Sequence, residues 1–100
     1  MTRYEQMNKA SRGKILDAAF TMAVEDGLLS IRRNTVAERA GIAHSLVTYY
    51  FNMDELRDAI IKRAIEKEQV DILAQGLALS NPVAMSAPTK LKSKALATLL

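Results

Sequence analysis

Apolar residues recur along the chain with the spacing of α-helices. Between residues 15 and 24 they fall at i, i+1, i+4, i+5, i+8 and i+9, which places them in one stripe of a helix. Ser11 is a candidate N-cap for this helix, and Gly27 is its candidate end because glycine adopts the left-handed conformation common at helix C-termini. No stretch of useful length alternates with the two-residue period of a strand, so the chain is predicted to be all-α.

Two short helices are predicted after the first. One covers residues 32–40, with Ser30 as a possible N-cap, and Gly41 stops it. The other covers residues 44–50. Together with the first helix they predict a three-helix unit in the first half of the chain.

A longer fourth helix is predicted to begin at Asn52. The Asn52 side chain can accept a hydrogen bond from the backbone amide of Glu55, and Glu55 can reach back to the amide of Asn52, which makes a capping box. The helix is predicted to continue to about Gly76. Breaks are predicted at residues 80–82 and 86–88, which both end in proline, and a last short helix is predicted in the tail.

The fourth helix carries apolar residues on two faces, so it has two surfaces to bury. One face can serve the core of its own chain, and the other is predicted to form a homodimer interface. The candidate interface residues are Ile61, Ile65, Ile72, Leu73 and Leu77. The alternative is intramolecular packing, in which the tail covers this face with Leu91, Leu96 and Leu99.

Composition narrows the function classes. Hydrophobic residues make up 49% and charged residues 25% of the 100 residues, which is typical of a folded globular domain. The chain has no cysteine and only one histidine, which excludes a disulfide framework and disfavours a metal site. It lacks a secretory signal pattern and any apolar run near the ~20 residues of a membrane span. We therefore expect a cytoplasmic protein with no cofactor and no metal.

The net charge of +3 is unevenly distributed. Residues 1–14 carry four basic side chains and one acidic side chain, and residues 30–50 carry three basic and one acidic. The segment between them is acidic. If the fold brings the two basic zones to one surface, that surface suits the phosphates of a nucleic acid.

Three residues between the second and third helices have the spacing of a helix-turn-helix. Ala37, Gly41 and Val47 stand at relative positions 0, +4 and +10. Two helices that cross over a tight turn need a small residue where their axes approach, which Ala37 supplies. The turn needs a residue that tolerates positive φ, which Gly41 supplies, and Val47 then fills the corner.

Residues 12–62 resemble the N-terminal DNA-binding domain of TetR-type transcriptional repressors. The matching stretches are ILDAAF at 15–20, Gly27, VAERAGI at 36–42, Tyr50-Phe51 and Glu55-Leu56. The chain departs from the family pattern at Arg32 and Arg33, at Ala43, at Thr48 and in the loop before helix four, where Asp54 stands near the position of a usual lysine.

The resemblance implies a helix-turn-helix head whose third helix enters the major groove, in a homodimer on a palindromic operator. It divides the chain into a basic arm at 1–11, a DNA-binding domain at 12–52, and helix four plus a tail at 53–100 for dimerisation. TetR-type repressors also carry a large ligand-binding domain, for which the rest of this chain has no room. We therefore expect a ligand-independent repressor with no small-molecule effector.

The predicted DNA contacts fall into two sets. Candidates for base contact project from the third helix: His44, Ser45, Thr48 and Tyr49. Candidates for phosphate contact are Arg32, Arg33, Asn34, Tyr50, Arg12, Lys14, Arg3 and Lys9. Phe51 is expected to be a core ring.

Other function classes fit the sequence less well. No Gly-rich phosphate loop and no supported Ser/His/Asp set is present, so no enzymatic activity is expected. A small helical module that binds another regulator without contacting DNA is the main alternative. A membrane-surface role for the tail, with Lys90, Lys92 and Lys94, is a weaker one, since these lysines suit a solvated helix face.

Overall fold

The computed structural model describes residues 3–99, with side chains from residue 10 onwards. Every regular element in this part of the chain is helical, as predicted. The α-helices are α1 (Arg3–Asp26), α2 (Arg33–Ala40), α3 (His44–Tyr50), α4 (Met53–Glu66), α5 (Val70–Ala78), α6 (Pro82–Met85) and α7 (Thr89–Ala97), with a 3₁₀ turn at Leu28–Ser30.

The first helix is longer than the apolar stripe predicts. α1 already begins at Arg3, so Ser11 lies within the helix and the prediction of Ser11 as its N-cap is wrong. No proline interrupts residues 3–11, and an isolated Gly13 costs too little to stop a helix that is packed further along. α1 ends at the predicted position, before Gly27, but Gly27 has φ 95° and ψ 158° and so is not in the predicted left-handed conformation.

The ends of α2 and α3 lie close to their predicted positions. Gly41 ends α2 in the left-handed conformation, as predicted. Ser30 does not cap α2: its hydroxyl donates to the Gly27 carbonyl at 2.6 Å, within the 3₁₀ turn. Arg32 occupies the N-cap position instead, with no side-chain hydrogen bond to the helix.

Asn52 caps α4 as predicted. Its Oδ1 accepts from the Glu55 backbone amide at 2.7 Å. The return bond differs from the prediction, because the Glu55 carboxylate accepts from the Asn52 side-chain amide at 2.6 Å rather than from the backbone amide. The cap places two acidic residues in the first turn, where they favour the helix dipole.

The prediction that the fourth helix continues to Gly76 is wrong. α4 ends at Glu66, and Glu68 takes a positive φ of 55°. The chain then reverses, and α5 packs antiparallel on α4, so that the Asn81 side chain beyond α5 donates to Asp58 on α4 at 2.8 Å. What the pattern predicts as one helix with two apolar faces is two helices folded on each other.

This reversal buries several of the predicted dimer residues within the single chain. Ile61, Ile72 and Leu73 are buried within the single chain, and Ile65 and Leu77 are half-buried. The prediction that all five form a surface for a second copy is therefore wrong for the first three. Ile61 lies on α4, which packs against α1, α5 and α6, and the other two lie on α5, which packs against α1, α4, α6 and α7.

The tail forms the predicted last helix. Leu91 and Ala95 of α7 are buried against the core, whereas Leu96 and Leu99 stay about half exposed. The predicted breaks are also present, since Pro82 begins α6 and Pro88 precedes α7.

A side-chain hydrogen bond joins the turn after α1 to α5. The Leu28 backbone amide donates to Oε1 of Gln75, on α5, at 2.5 Å. Leu28 itself is fully buried. The turn after α1 is therefore fixed to α5 by both packing and a hydrogen bond.

None of the helices described is at once long and apolar enough to cross a membrane.

Candidate nucleic-acid interface

The corner between α2 and α3 is built on small and β-branched side chains. Val36 and Val47 are fully buried, and Ala37 is 4% exposed. The Ile42 backbone amide donates to the Ala37 carbonyl at 3.1 Å, and the Gly41 amide donates to the Glu38 carbonyl at 3.2 Å. These bonds satisfy carbonyls at the end of α2 and fix the direction in which the chain enters α3.

Gly41 is required by its torsion angles rather than by lack of space. Its φ of 70° and ψ of 35° lie in the left-handed region. A Cβ built at this position would meet nothing within 4 Å. The glycine therefore permits the bend itself, because L-residues with a Cβ are strained in this region.

The predicted base-contact residues occupy one outer face of α3. His44, Ser45, Thr48 and Tyr49 are all exposed, and Tyr49 is 70% exposed. Their spacing of i, i+1, i+4 and i+5 keeps them together on the face away from buried Val47. This face holds donors, acceptors and a methyl group, which are the groups that read base edges.

The residues at the end of α3 are aromatic. The rings of Tyr49 and Tyr50 meet edge to face, with centroids 5.0 Å apart. Phe51 is 3% exposed, as expected of a core ring. The Arg12 guanidinium of α1 lies 4.8 Å from the Phe51 ring centroid. Since the ring faces the cation, this contact holds Arg12 beside the end of α3.

Exposed cations mark the start of α2. Arg32, Arg33 and Asn34 are all exposed at the end of α2 opposite the turn. None of the ion pairs among the side chains that the structure describes involves either arginine. Their charges are therefore available to an external anion, and the free amides of the first turn lie beside them.

Arg39, the third arginine of this segment, is held by an ion pair that sequence analysis missed. Its two terminal nitrogens donate to the two carboxylate oxygens of Glu25 at 2.8 Å each. The hydrogen bonds from Arg39 lower the pKa of Glu25, and the same bonds raise the pKa of Arg39. The pair joins α2 to the end of α1 across fourteen positions of sequence. Local sequence patterns do not predict a contact at this separation.

The remaining predicted phosphate contacts are more scattered. Lys14 lines a surface hollow of about 330 Å³ between α1 and the end of α2, together with Asp17, Thr21 and Ala40. Tyr50 is half-buried. The side chains of Arg3 and Lys9 lie outside the described residues. The structure thus groups Arg12 with the end of α3 and leaves Arg32 and Arg33 at the far end of α2.

Acidic side chains flank the end of this surface. Asp54 and Glu55 stand in the first turn of α4, directly after Phe51 and Asn52. α3 itself contains no acidic residue. The surface is therefore neutral along α3, basic at the start of α2 and at Arg12, and acidic where α4 begins.

Comparison with known proteins adds no further constraint, since no family model, no curated protein and no solved structure matches the chain.

Proposed function

We propose that the chain is a sequence-specific double-stranded DNA-binding transcription regulator that uses α3 as its reading helix. One observation carries the proposal: α3 presents four polar and aromatic side chains outward while Val47, on its inner face, is fully buried against the corner with α2. The resemblance to the TetR-type DNA-binding domain supports the same assignment.

In this mechanism the outer face of α3 lies in the major groove. His44 and Ser45 donate to or accept from base edges, and the methyl group of Thr48 contacts thymine. Arg32 and Arg33 neutralise DNA phosphates at the start of α2. Arg12, which lies against the Phe51 ring, contacts the DNA backbone beside the end of α3. The basic contacts position the protein, whereas the α3 side chains select the sequence.

We further propose that the regulator is a repressor that acts as a homodimer on a palindrome and needs no effector. Two heads on one face of DNA read half-sites about 34–36 Å apart. A single α3 of seven residues reads only a few base pairs, so two heads give the affinity that one lacks. Occupation of a promoter by such a dimer blocks transcription directly.

The test is selection of bound duplexes from a random pool by the purified chain. We expect a conserved, palindromic sequence among the selected duplexes, and an affinity that falls steeply as salt rises. A pool without enrichment, or an affinity indifferent to salt, contradicts the proposal.

Substitutions then separate the two kinds of contact. R33A should weaken binding to all duplexes by a similar factor and flatten the salt dependence, because a phosphate contact carries no sequence information. T48A should change the selected sequence at one position. K94A is the matched control, since Lys94 is an exposed cation of α7 and lies outside this surface. Equal effects of R33A and K94A would contradict the assigned phosphate contact.

The alternative function is a helical module that binds another regulator without contacting DNA. One observation favours it: Leu29, Leu79 and Leu99 are exposed near α5. These leucines are compatible with DNA binding by α3, because none of them lies on α2 or α3.

A further inference from the structure

Two adjoining hollows follow α5 and the end of α1, and together they form a groove. Its first part, about 410 Å³, lies between residues 23–27, residues 69–75 and the chain at Thr98 and Leu99. Its second part, about 370 Å³, includes Leu29 and Leu79. Gly27 and Gln75 line both parts, so the two hollows adjoin at these residues.

Large apolar side chains line both parts of the groove. Val24, Leu29, Leu79 and Leu99 line it and are 50%, 69%, 48% and 51% exposed. Single exposed leucines are ordinary on protein surfaces. Four such side chains beside two adjoining hollows favour an interaction site.

The dimensions of the groove suit one face of a helix. It follows α5 from Gln69 to Leu79, a span of eleven residues and therefore about 15 Å at the rise of an α-helix. An amphipathic helix of about three turns has the same length and lays its apolar face into such a groove.

The charge of the rim specifies the partner. The acidic side chains that line the groove are Glu25, Asp26 and Asp71, and no lysine or arginine of the described chain lines either part. Glu25 is already paired with Arg39. Asp26 and Asp71 are exposed and belong to none of the ion pairs among the described side chains, so they can pair with cations of a ligand. Within the chain, Asp26 also attracts Arg39 electrostatically.

We propose that this groove binds a basic amphipathic helical segment of a partner protein. The leucines of the groove contact the apolar face of that helix, and Asp26 and Asp71 pair with its lysines or arginines. A second copy of this chain fits less well, because a two-fold contact across the groove sets the same acidic residues against each other. The inference does not depend on DNA binding.

The probe is a synthetic peptide of about fourteen residues, or four helical turns, in which leucines form one face and lysines the other. A matched peptide carries glutamate in place of lysine. We expect the lysine peptide to bind at least tenfold more tightly in fluorescence anisotropy, and to shift the amide resonances of Val24, Leu29, Leu79 and Leu99. Equal affinity of the two peptides, or shifts confined to other surfaces, would overturn the proposal.

Variants test both parts of the groove. L29S/L79S should weaken binding of the lysine peptide at least tenfold, and M85S is the matched control, because Met85 is 55% exposed on α6 and outside the groove. D26N/D71N should weaken binding severalfold and reduce its salt dependence. Since these side chains are exposed, circular dichroism should show unchanged folding. A loss with M85S equal to that with L29S/L79S contradicts the site.

Sedimentation without peptide tests whether a second copy of this chain occupies the groove instead. If the chain forms a dimer that L29S/L79S abolishes and M85S does not, the groove is an interface between copies and the proposal fails. A sedimentation pattern unchanged by L29S/L79S, together with specific peptide binding, supports it.

Discussion

The corner between α2 and α3 and the corner between α5 and α6 end their first helix with the same backbone bonds. In the first, the Ile42 amide donates to the Ala37 carbonyl at 3.1 Å. In the second, the Asn81 amide donates to the Gly76 carbonyl at 2.9 Å. Both bonds reach back five residues, as in a Schellman motif.

The two corners use glycine for different purposes. In the first corner glycine is the left-handed residue, Gly41, and the space around it is open. In the second corner Ser80 is the left-handed residue, and Gly76 lies where a Cβ would come within 3.0 Å of Ile61 and Ala84. One glycine therefore permits a torsion angle and the other permits close packing, so the same substitution to alanine tests different physics at each.

Gly76→Ala should have the largest effect on this comparison. The added methyl group would lie 3.0 Å from buried Ile61 and Ala84, so these neighbours must shift, and overpacking of this kind costs about 1–3 kcal/mol. Urea denaturation measures the loss. The control is Gly13→Ala, also within a helix but with nothing within 4 Å, which should leave stability equal or higher. A neutral Gly76→Ala would show that the α4–α5–α6 contact relaxes easily.

Gly41→Ala should cost about 1 kcal/mol, because the alanine is strained at positive φ although it meets no neighbour. For a domain of this size, that corresponds to a melting temperature lower by about 4–8 °C. Gly41→Asn should cost less, since asparagine tolerates the left-handed conformation. An asparagine variant as unstable as the alanine variant would indicate a steric cause instead.

Ser80→Gly and Glu68→Gly should stabilise the fold by up to about 1 kcal/mol. Both residues are exposed and take positive φ, 56° for Ser80 and 55° for Glu68, which glycine adopts without strain. The relief of backbone strain is partly offset, because glycine has greater conformational freedom in the unfolded chain. Thermal unfolding of each variant checks the sign, and destabilisation by both would contradict the account.

The smallest expected effect concerns the Glu25–Arg39 pair. The hydrogen bonds from Arg39 hold the pKa of Glu25 below its usual value, so the pair contributes stability that is present at neutral pH and is lost as pH falls through the lowered pKa. Glu25→Gln should therefore be less stable than the parent near neutral pH and equal to it in acid. Both side chains are nearly half exposed, so the difference is small and decreases with salt.

The helix ends explain how much of the fold the sequence predicts. The chain reversal at Gly41 is predictable, because glycine marks the left-handed position. The reversal after α4 uses the same bonds, with the Gln69 amide donating to the Ala64 carbonyl at 2.8 Å, but the left-handed residue is Glu68. Glutamate is a good helix former and gives no signal of a break. The fourth helix is therefore predicted too long.

The same missed break accounts for the wrong dimer residues. In one continuous helix the second apolar stripe has no partner within the chain. Once α5 reverses onto α4, Ile61 and Ile72 are buried in their own core. Exposed apolar residues such as Leu29 and Leu79 come together only through this tertiary arrangement, so the groove is invisible in the sequence.

The predicted reading face depends only on local spacing, which explains why its four residues are exposed as expected. The ion pair of Arg39 depends on how α2 packs on α1, so the sequence does not predict that Glu25 holds this arginine. DNA contact itself stays a prediction at every one of these positions.

The bond between Leu28 and Gln75 limits how this chain can be divided. A fragment that stops at Glu66 removes the acceptor of the Leu28 amide and uncovers the buried faces of Leu28 and Ile61. Such a fragment loses this hydrogen bond and exposes apolar surface, which favours unfolding or aggregation. The segment that holds α3 is therefore not a detachable module, and grafting it onto another protein requires α5 as well.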